Sequence, residues 1–145
     1  MIVRQATQLD EEDCVGMTVS FLQMTPYNKY KLSYDSLAIT FRAAMDSGLA
    51  FVAEEDGLVI GMIIGAKSSA MFNSNIIIGQ ELGWWVDEEY RDTKAGVALL
   101  KAFEDACSDC DIISMSLLST SEQKLRGYLT SIGYTEAETA YFKEN

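Results

Sequence analysis

The pattern of apolar and polar positions opens with residues 2–6, IVRQA, which read as a short first strand. Thr7 can cap the helix that follows. The first turn of that helix is acidic (Asp10, Glu11, Glu12, Asp13), and Val15, Val19 and Leu22 point inward before Pro26 ends it. Residues 25–34, TPYNKYKLSY, form a loop. Ser33 opens a second helix with Leu37, Phe41, Ala44 and Met45 at helical spacing, and Gly48 is its stop. Three strand-like runs come next. Residues 50–54 and 58–68 are joined by the turn 55-EDG-57, and residues 76–86 follow the polar turn 73-NSN-75. A third amphipathic helix buries Leu99, Leu100, Phe103, Ala106 and Cys107, and a fifth strand, 112-IISMSLL-118, comes after it. The capping-box pattern 120-TSEQ-123 starts a short helix with Leu125, Tyr128 and Leu129. After a turn at 133-GY-134, residues 135–143 alternate as a last strand.

The predicted order is therefore β-α-α-β-β-β-α-β-α-β, an α/β (α+β) pattern. No repeat or linker divides it, so residues 1–145 are expected to form one domain. A chain of 145 residues buries roughly 70% of its unfolded surface, enough for a core without staples. With 48% hydrophobic and 23% charged residues and a single proline, the composition is that of an ordered globular protein without a membrane span. The start, MIVRQATQLDEED, lacks the pattern of a secretory signal.

Three features restrict the chemistry. There is no histidine, so any general base must be Asp, Glu, Tyr, Cys, Lys or a bound water, and a metal site is not expected. The odd count of cysteines, Cys14, Cys107 and Cys110, points to reduced thiols and a cytoplasmic location. Cys107 and Cys110 form a C-x-x-C pair with no second pair to complete a metal site, and packing at a helix end accounts for them. The net charge of −11 opposes binding to nucleic acid phosphates and favours a cationic partner, although plain solubility accounts for it equally well.

Against that acidic background, 86-VDEEYRDTKAGVALL-100 places Arg91 and Lys94 where a strand, 80-QELGWWV-86, hands over to a helix N-terminus. The first helical turn has free backbone N–H groups and the positive end of the dipole, so it suits an anion. The N–H groups of Asp92, Thr93, Lys94, Ala95, Gly96 and Val97 are the candidate donors. Solvated loop charges are the alternative.

The segment 86-VDEEYRDTKAG-96 resembles motif A of the GNAT acyltransferases, a strand ending in a V-x-x-E-Y-R-like segment, then a loop of the form (Q/R)-x-x-G-x-(G/A) and a helix. The flanks ELGWWV, VALLKAFEDAC and IISMSLL agree, as does 133-GY-134 where the family usually has Gly-Phe. The predicted element order also matches, so the resemblance covers essentially the whole chain. It implies a central mixed, mostly antiparallel twisted sheet flanked by helices. It also implies acetyl-CoA as cosubstrate, with the pyrophosphate held by Arg91, Asp92, Thr93, Lys94, Ala95, Gly96 and Val97. Lys94 stands where the first motif glycine is expected.

The implied reaction is direct attack of a neutral amine on the thioester. Val86 occupies the place whose N–H polarises the thioester oxygen. Glu81, near the middle of the strand, is the candidate base, and strict alternation would put it on one face with Gly83 and Trp85. A solvated or hydrogen-bonded strand carboxylate is the other reading. The family's acid, a tyrosine, lies four residues before the glycine of Gly-Phe. Leu129 stands there, and Tyr128, one place earlier, is the candidate acid or else a packed aromatic. The acceptor end is expected near Tyr27, Tyr30, Tyr34, Met71 and Phe72. Two functions follow: an N-acetyltransferase acting on a primary amine of a cationic small molecule or protein, or a GNAT-fold module of little activity whose acidic surface engages a basic protein. Either is compatible with a homodimer.

Overall fold

The computed structural model describes residues 1–121 and 123–145. Its elements are β1 (Ile2–Gln5), α1 (Glu11–Gln23), α2 (Tyr34–Asp46), β2 (Ala50–Glu55), β3 (Leu58–Ala70), β4 (Asn73–Val86), α3 (Ala95–Ala106), β5 (Ile112–Ser114) and α4 (Gln123–Ser131), with single 3-10 turns at Gln8–Asp10 and Glu88–Tyr90. The strands lie in sequence order in one mixed sheet. Every neighbouring pair is antiparallel except β4–β5, which is parallel.

Local chemistry accounts for most boundaries. Ser33 Oγ accepts the Ser36 N–H at 3.2 Å and so starts α2. Gly48 ends α2 with φ of +74°, a conformation in which a side chain would be strained. At the β2–β3 turn Asp56 and Gly57 both have positive φ (50° and 80°), as a type I′ hairpin needs. At the start of α1 the buried Asp10 carboxylate accepts two bonds from Arg4 (2.8 and 2.9 Å) and one from the Thr7 N–H (2.7 Å).

The sheet separates two apolar layers. On one face Val52, Met62 and Ile64 pack with Cys14, Met17 of α1 and Phe41, Ala44 of α2. On the other, Phe51, Ala53 and Ile63 pack with Leu99, Leu100 and Phe103 of α3 and Leu129 of α4. Contact there is close enough to demand glycine. A Cβ on Gly65 would lie 2.5 Å from the Phe103 ring and from the Gln80 carbonyl oxygen, and one on Gly79 would lie 2.5 Å from Cys107 Sγ. Cys107 is thus a buried end-of-helix packing residue, with half-buried Cys110 beside it.

Four expectations are corrected. The β3–β4 hairpin turns at Met71–Phe72, and 73-NSN-75 lies within β4, because Ala70 already pairs with Asn73. The fifth strand keeps only its first three residues, since the Ser116 N–H donates to a side chain and leaves the ladder. Residues 135–143 do not form a strand, because β5 is too short to offer them an edge. They pass the end of α1 without regular structure; there the Phe142 and Tyr27 rings meet at 5.7 Å, and just beyond, Glu144 pairs with Lys29. Finally, β4 does not alternate strictly. The capping box at 120-TSEQ-123 includes Glu122, which is outside the described residues. No helix among those described is long and apolar enough to cross a membrane.

Candidate active site

The site lies where the sheet splits. β4 and β5 pair at Ile78–Ile112, Gly79–Ile113 and Gln80–Ser114, and then part. β4 runs on to Val86 with its β5-side edge open. The last paired residue of β4, Gln80, immediately precedes Glu81, so the divergence begins at Glu81.

A bulge sets the direction of each side chain here. Gly65 pairs with Glu81 and the next residue, Ile64, pairs with Gly83, so Leu82 is left over. From Ile77 to Glu81 the register is regular; a second shift lies nearer the hairpin, between Ile77 and Asn73. Glu81 therefore shares the α3 face with Gly79, whose missing Cβ points at Cys107. Downstream, Gly83 faces Met62 and Ile64, and Trp85 packs with the α1–α2 layer. Glu81, Gly83 and Trp85 are thus not on one face, and the space at Gly83 is filled by Ile64 and Met62 at 3.5–3.8 Å. Trp84 takes the place beside Glu81.

Glu81 is 6% exposed. Its Oε2 accepts the Ser116 N–H at 3.3 Å, a bond that spans the split between the strands. Burial pushes its carboxyl up from an ordinary 4.5 to about 7, because a charge is poorly solvated there; the Ser116 N–H opposes this only in part. The carboxyl touches a small cavity of about 90 Å³ bounded by Phe21, Trp84, Leu117, Leu118 and Leu125. Beyond it lies a groove of about 930 Å³ between the end of α1, residues 116–120 and residues 139–142.

At the far end of the open edge, the Asp87 N–H donates to Ile60 O of β3 at 2.9 Å. Backbone groups alternate sides along a strand, so the Val86 N–H and C=O point into the split. The Val86 carbonyl accepts Arg91 Nε–H at 2.8 Å, and the Arg91 guanidinium lies 4.5 Å over the Trp85 ring. Arg91 is therefore tied to the end of β4, with its outer N–H groups left to solvent.

The loop is satisfied in part by its own residues. Thr93 N–H and Oγ–H both donate to Tyr90 O, and Thr93 Oγ1 accepts the Ala95 N–H at 3.2 Å. Ala95 is buried, and the Ala98 N–H returns to Lys94 O. The N–H groups of Asp92, Lys94, Gly96 and Val97 have no protein acceptor among the described residues. The first turn of α3 has no acidic side chain, in contrast to α1 and α2. Lys94 is the N-cap, with φ −78° and ψ 0°, a backbone any residue adopts, so lysine replaces glycine there without strain. A Cβ on Gly96 would meet only Trp84 and Val86 at 3.7 Å, so protein packing does not require that glycine.

Tyr128 is half-buried against the α3-side core, and Leu129 is buried in it. Leu125, one turn before Tyr128 on α4, is the residue of that face that borders the Glu81 cavity. Of the aromatic and apolar residues expected at the acceptor end, only Tyr27 lines the groove. Met71 and Phe72 stand exposed at the hairpin tip, and Tyr34 O–H reaches Glu11. Sequence reasoning missed Phe21, Trp84, Ser116, Leu117, Leu118 and the 139–142 segment. For Leu117 and Leu118 the signal was misread, since an apolar run after a helix looks like a full strand. Nothing in the sequence marks Leu82 as a bulge.

A family model described as the Acetyltransferase (GNAT) family matches residues 11–134. The chain belongs to that family. Solved structures share the fold of this GNAT protein over nearly all their length. One is a ribosomal-protein-alanine N-acetyltransferase from Brucella melitensis biovar Abortus 2308 (14% identical, 100% of each chain covered, TM-score 0.72). Another is a transcriptional regulator from Bacillus halodurans C-125 (16% identical, 99% of each chain, TM-score 0.75). A third is the aminoglycoside N-acetyltransferase AAC(6')-Iy in complex with CoA (15% identical, 99% of this chain and 93% of that one, TM-score 0.72). At these identities the likeness concerns the fold alone. No curated protein matches the chain in sequence.

Proposed function

We propose that this GNAT protein is an N-acetyltransferase that uses acetyl-CoA and a primary amine, with Glu81 as its general base. The observation that carries the reading is the buried Glu81 carboxyl at the mouth of the β4–β5 split, with the open edge of β4 leading from it to the start of α3.

The residues present fit the cosubstrate. The N–H groups of Lys94, Gly96 and Val97, with the cations of Lys94 and Arg91, suit a pyrophosphate at the α3 N-terminus. Asp92, Thr93 and Ala95 shape that loop, with Asp92 adding one more free N–H. Acetyl-CoA supplies the activated acyl group. The Val86 N–H, aimed into the split, is placed to donate to an oxyanion. Glu81, poised near neutral pH, takes the proton of the attacking amine directly or through one water. Tyr128, on the same face of α4 as Leu125, is the candidate donor of a proton to the departing sulfur.

The test is calorimetric titration with acetyl-CoA, followed by a thiol-release assay with amines. Binding is expected in the wild type and weakened in Arg91→Ala. Glu81→Gln is expected to keep acetyl-CoA binding and lose roughly 100-fold or more in kcat, and Tyr128→Phe to lower kcat with KM little changed. Folded protein that does not bind acetyl-CoA would refute the proposal.

A further inference from the structure

Resting on the acetyltransferase reading, we infer that the acceptor is a monoamine carried on an apolar, aromatic body, and not a polycation. The groove beyond Glu81 connects to the proposed reaction centre and is bounded by Phe21, Tyr27, Leu117, Leu118, Tyr141 and Phe142. Of the chain's 22 acidic residues, Glu81 alone among those described lines it. None of the 11 lysines and arginines does so. Most of the charge of −11 therefore lies away from the groove, and among the described residues its lining has a single carboxyl, at the inner end.

This distribution selects the acceptor by elimination. A polyamine or an aminosugar would bring its second and third ammonium groups against mostly apolar walls whose other polar groups are the neutral side chains of Thr25, Gln80, Ser116, Ser119, Thr120 and Thr139, with no second carboxylate among the described residues to pair them, which costs their hydration. An amino acid would bring a carboxylate with no cation to receive it. An amine with one nitrogen and an apolar body leaves nothing unpaired, since its nitrogen meets Glu81 and its body covers the walls. The outer wall suits a ring in particular. Tyr27 and Phe142 meet at 5.7 Å and 58°, while each remains about half exposed (48% and 53%), and Tyr141 beside them is 94% exposed. Exposed aromatics gathered at the rim of a groove are what an apolar ligand would cover.

The step balances with the groups named. The neutral amine nitrogen bonds to the acyl carbon as the carbon–sulfur bond breaks, the nitrogen's proton passes to Glu81, and the thiolate leaves and is protonated. The amide product carries no charge.

The test is a competition of acceptors under saturating acetyl-CoA, with thiol release as readout. 2-Phenylethylamine, n-butylamine, n-octylamine, spermidine and neamine are compared in the wild type and in Phe142→Ala. The expected result is kcat/KM for phenylethylamine above that for spermidine and neamine by roughly tenfold or more. Lengthening the alkylamine should add up to about fourfold per methylene buried. In Phe142→Ala, KM for phenylethylamine should rise while kcat and acetyl-CoA affinity stay unchanged. A preference for spermidine or neamine, or a KM indifferent to Phe142, overturns the inference and leaves the acetyltransferase reading standing. Acetyl-CoA binding without turnover of any amine also overturns it, and failure to bind acetyl-CoA sinks both.

Discussion

Replacing Glu81 with glutamine removes the ionisable group with almost no change of volume, and it tests whether the carboxyl is truly desolvated. The folded protein holds this proton to about pH 7, whereas the unfolded chain releases it near 4.5. The group's folded pKa is raised, so whatever stability it contributes is fully present below pH 4.5 and is lost as the pH climbs toward 7. Above that, the folded state contains a poorly solvated carboxylate that the unfolded state solvates freely. The full cost is about 3 kcal/mol, of which about 2–3 kcal/mol falls between pH 5 and pH 8. The glutamine side chain introduced by Glu81→Gln would keep an acceptor for the Ser116 N–H but not the charge. Urea unfolding of both proteins at pH 5 and pH 8 isolates the effect, because other titrations cancel in the difference. The variant should gain on the wild type by about 2–3 kcal/mol over that interval, a relative midpoint shift of about 1–2 M urea. A gap between the two proteins that stays constant with pH would refute the buried carboxyl and, with it, the assignment of Glu81 as a base poised near neutrality. The same titration should appear in kcat of the wild type as a rise through pH 7, from the protonated, inactive base to the carboxylate.

Other perturbations test separate parts of the structure. Gly65→Ala should destabilise the protein by about 3 kcal/mol, seen as a lowered melting temperature, because its Cβ meets both the Gln80 backbone and the Phe103 ring; an unchanged melting temperature would contradict this packing. Lys94→Gly should weaken acetyl-CoA binding several-fold and flatten its salt dependence, since the position has no strained backbone for glycine to relieve. Tighter binding by that variant would mean that the lysine obstructs the phosphates. Arg91→Lys should fail to rescue Arg91→Ala in calorimetry, because the single lysine ammonium cannot both donate to Val86 O in this geometry and stack as a plane on Trp85. Asp10→Asn should cost about 2 kcal/mol at pH 7, discounted for the partial exposure of Arg4. Arg4 holds the Asp10 carboxyl below its ordinary 3.8, so the difference from wild type should shrink as the pH falls through and below that value, which chemical denaturation at pH 3 and pH 7 would reveal.

The framework of the protein and the neighbourhood of its site were written in local signals. Hydrophobic period, caps and turn residues act over a few positions, so the two opening helices, the EDG hairpin, α3 and the strand that precedes it were all legible. So was the family motif, and with it the choice of Glu81 and the cationic loop as candidates, because these depend on residues close together in the chain. The remainder depends on how distant segments meet, which no local pattern encodes. The Leu82 bulge arises from the pairing of β4 with β3, and it turns Glu81 to the α3 face while sending Gly83 and Trp85 to the other. β5 stops at Ser114 because the next free N–H, that of Ser116, finds the Glu81 carboxylate 35 residues away instead of a strand. With that edge gone, the alternating residues 135–143 have nothing to pair with and become the outer wall of a groove. The net charge of −11 could be counted from the sequence, but that Glu81 alone of the described carboxylates lines the groove could not. An alternating pattern specifies which side chains share a face only while the ladder stays regular, and one unpaired residue reverses every face beyond it.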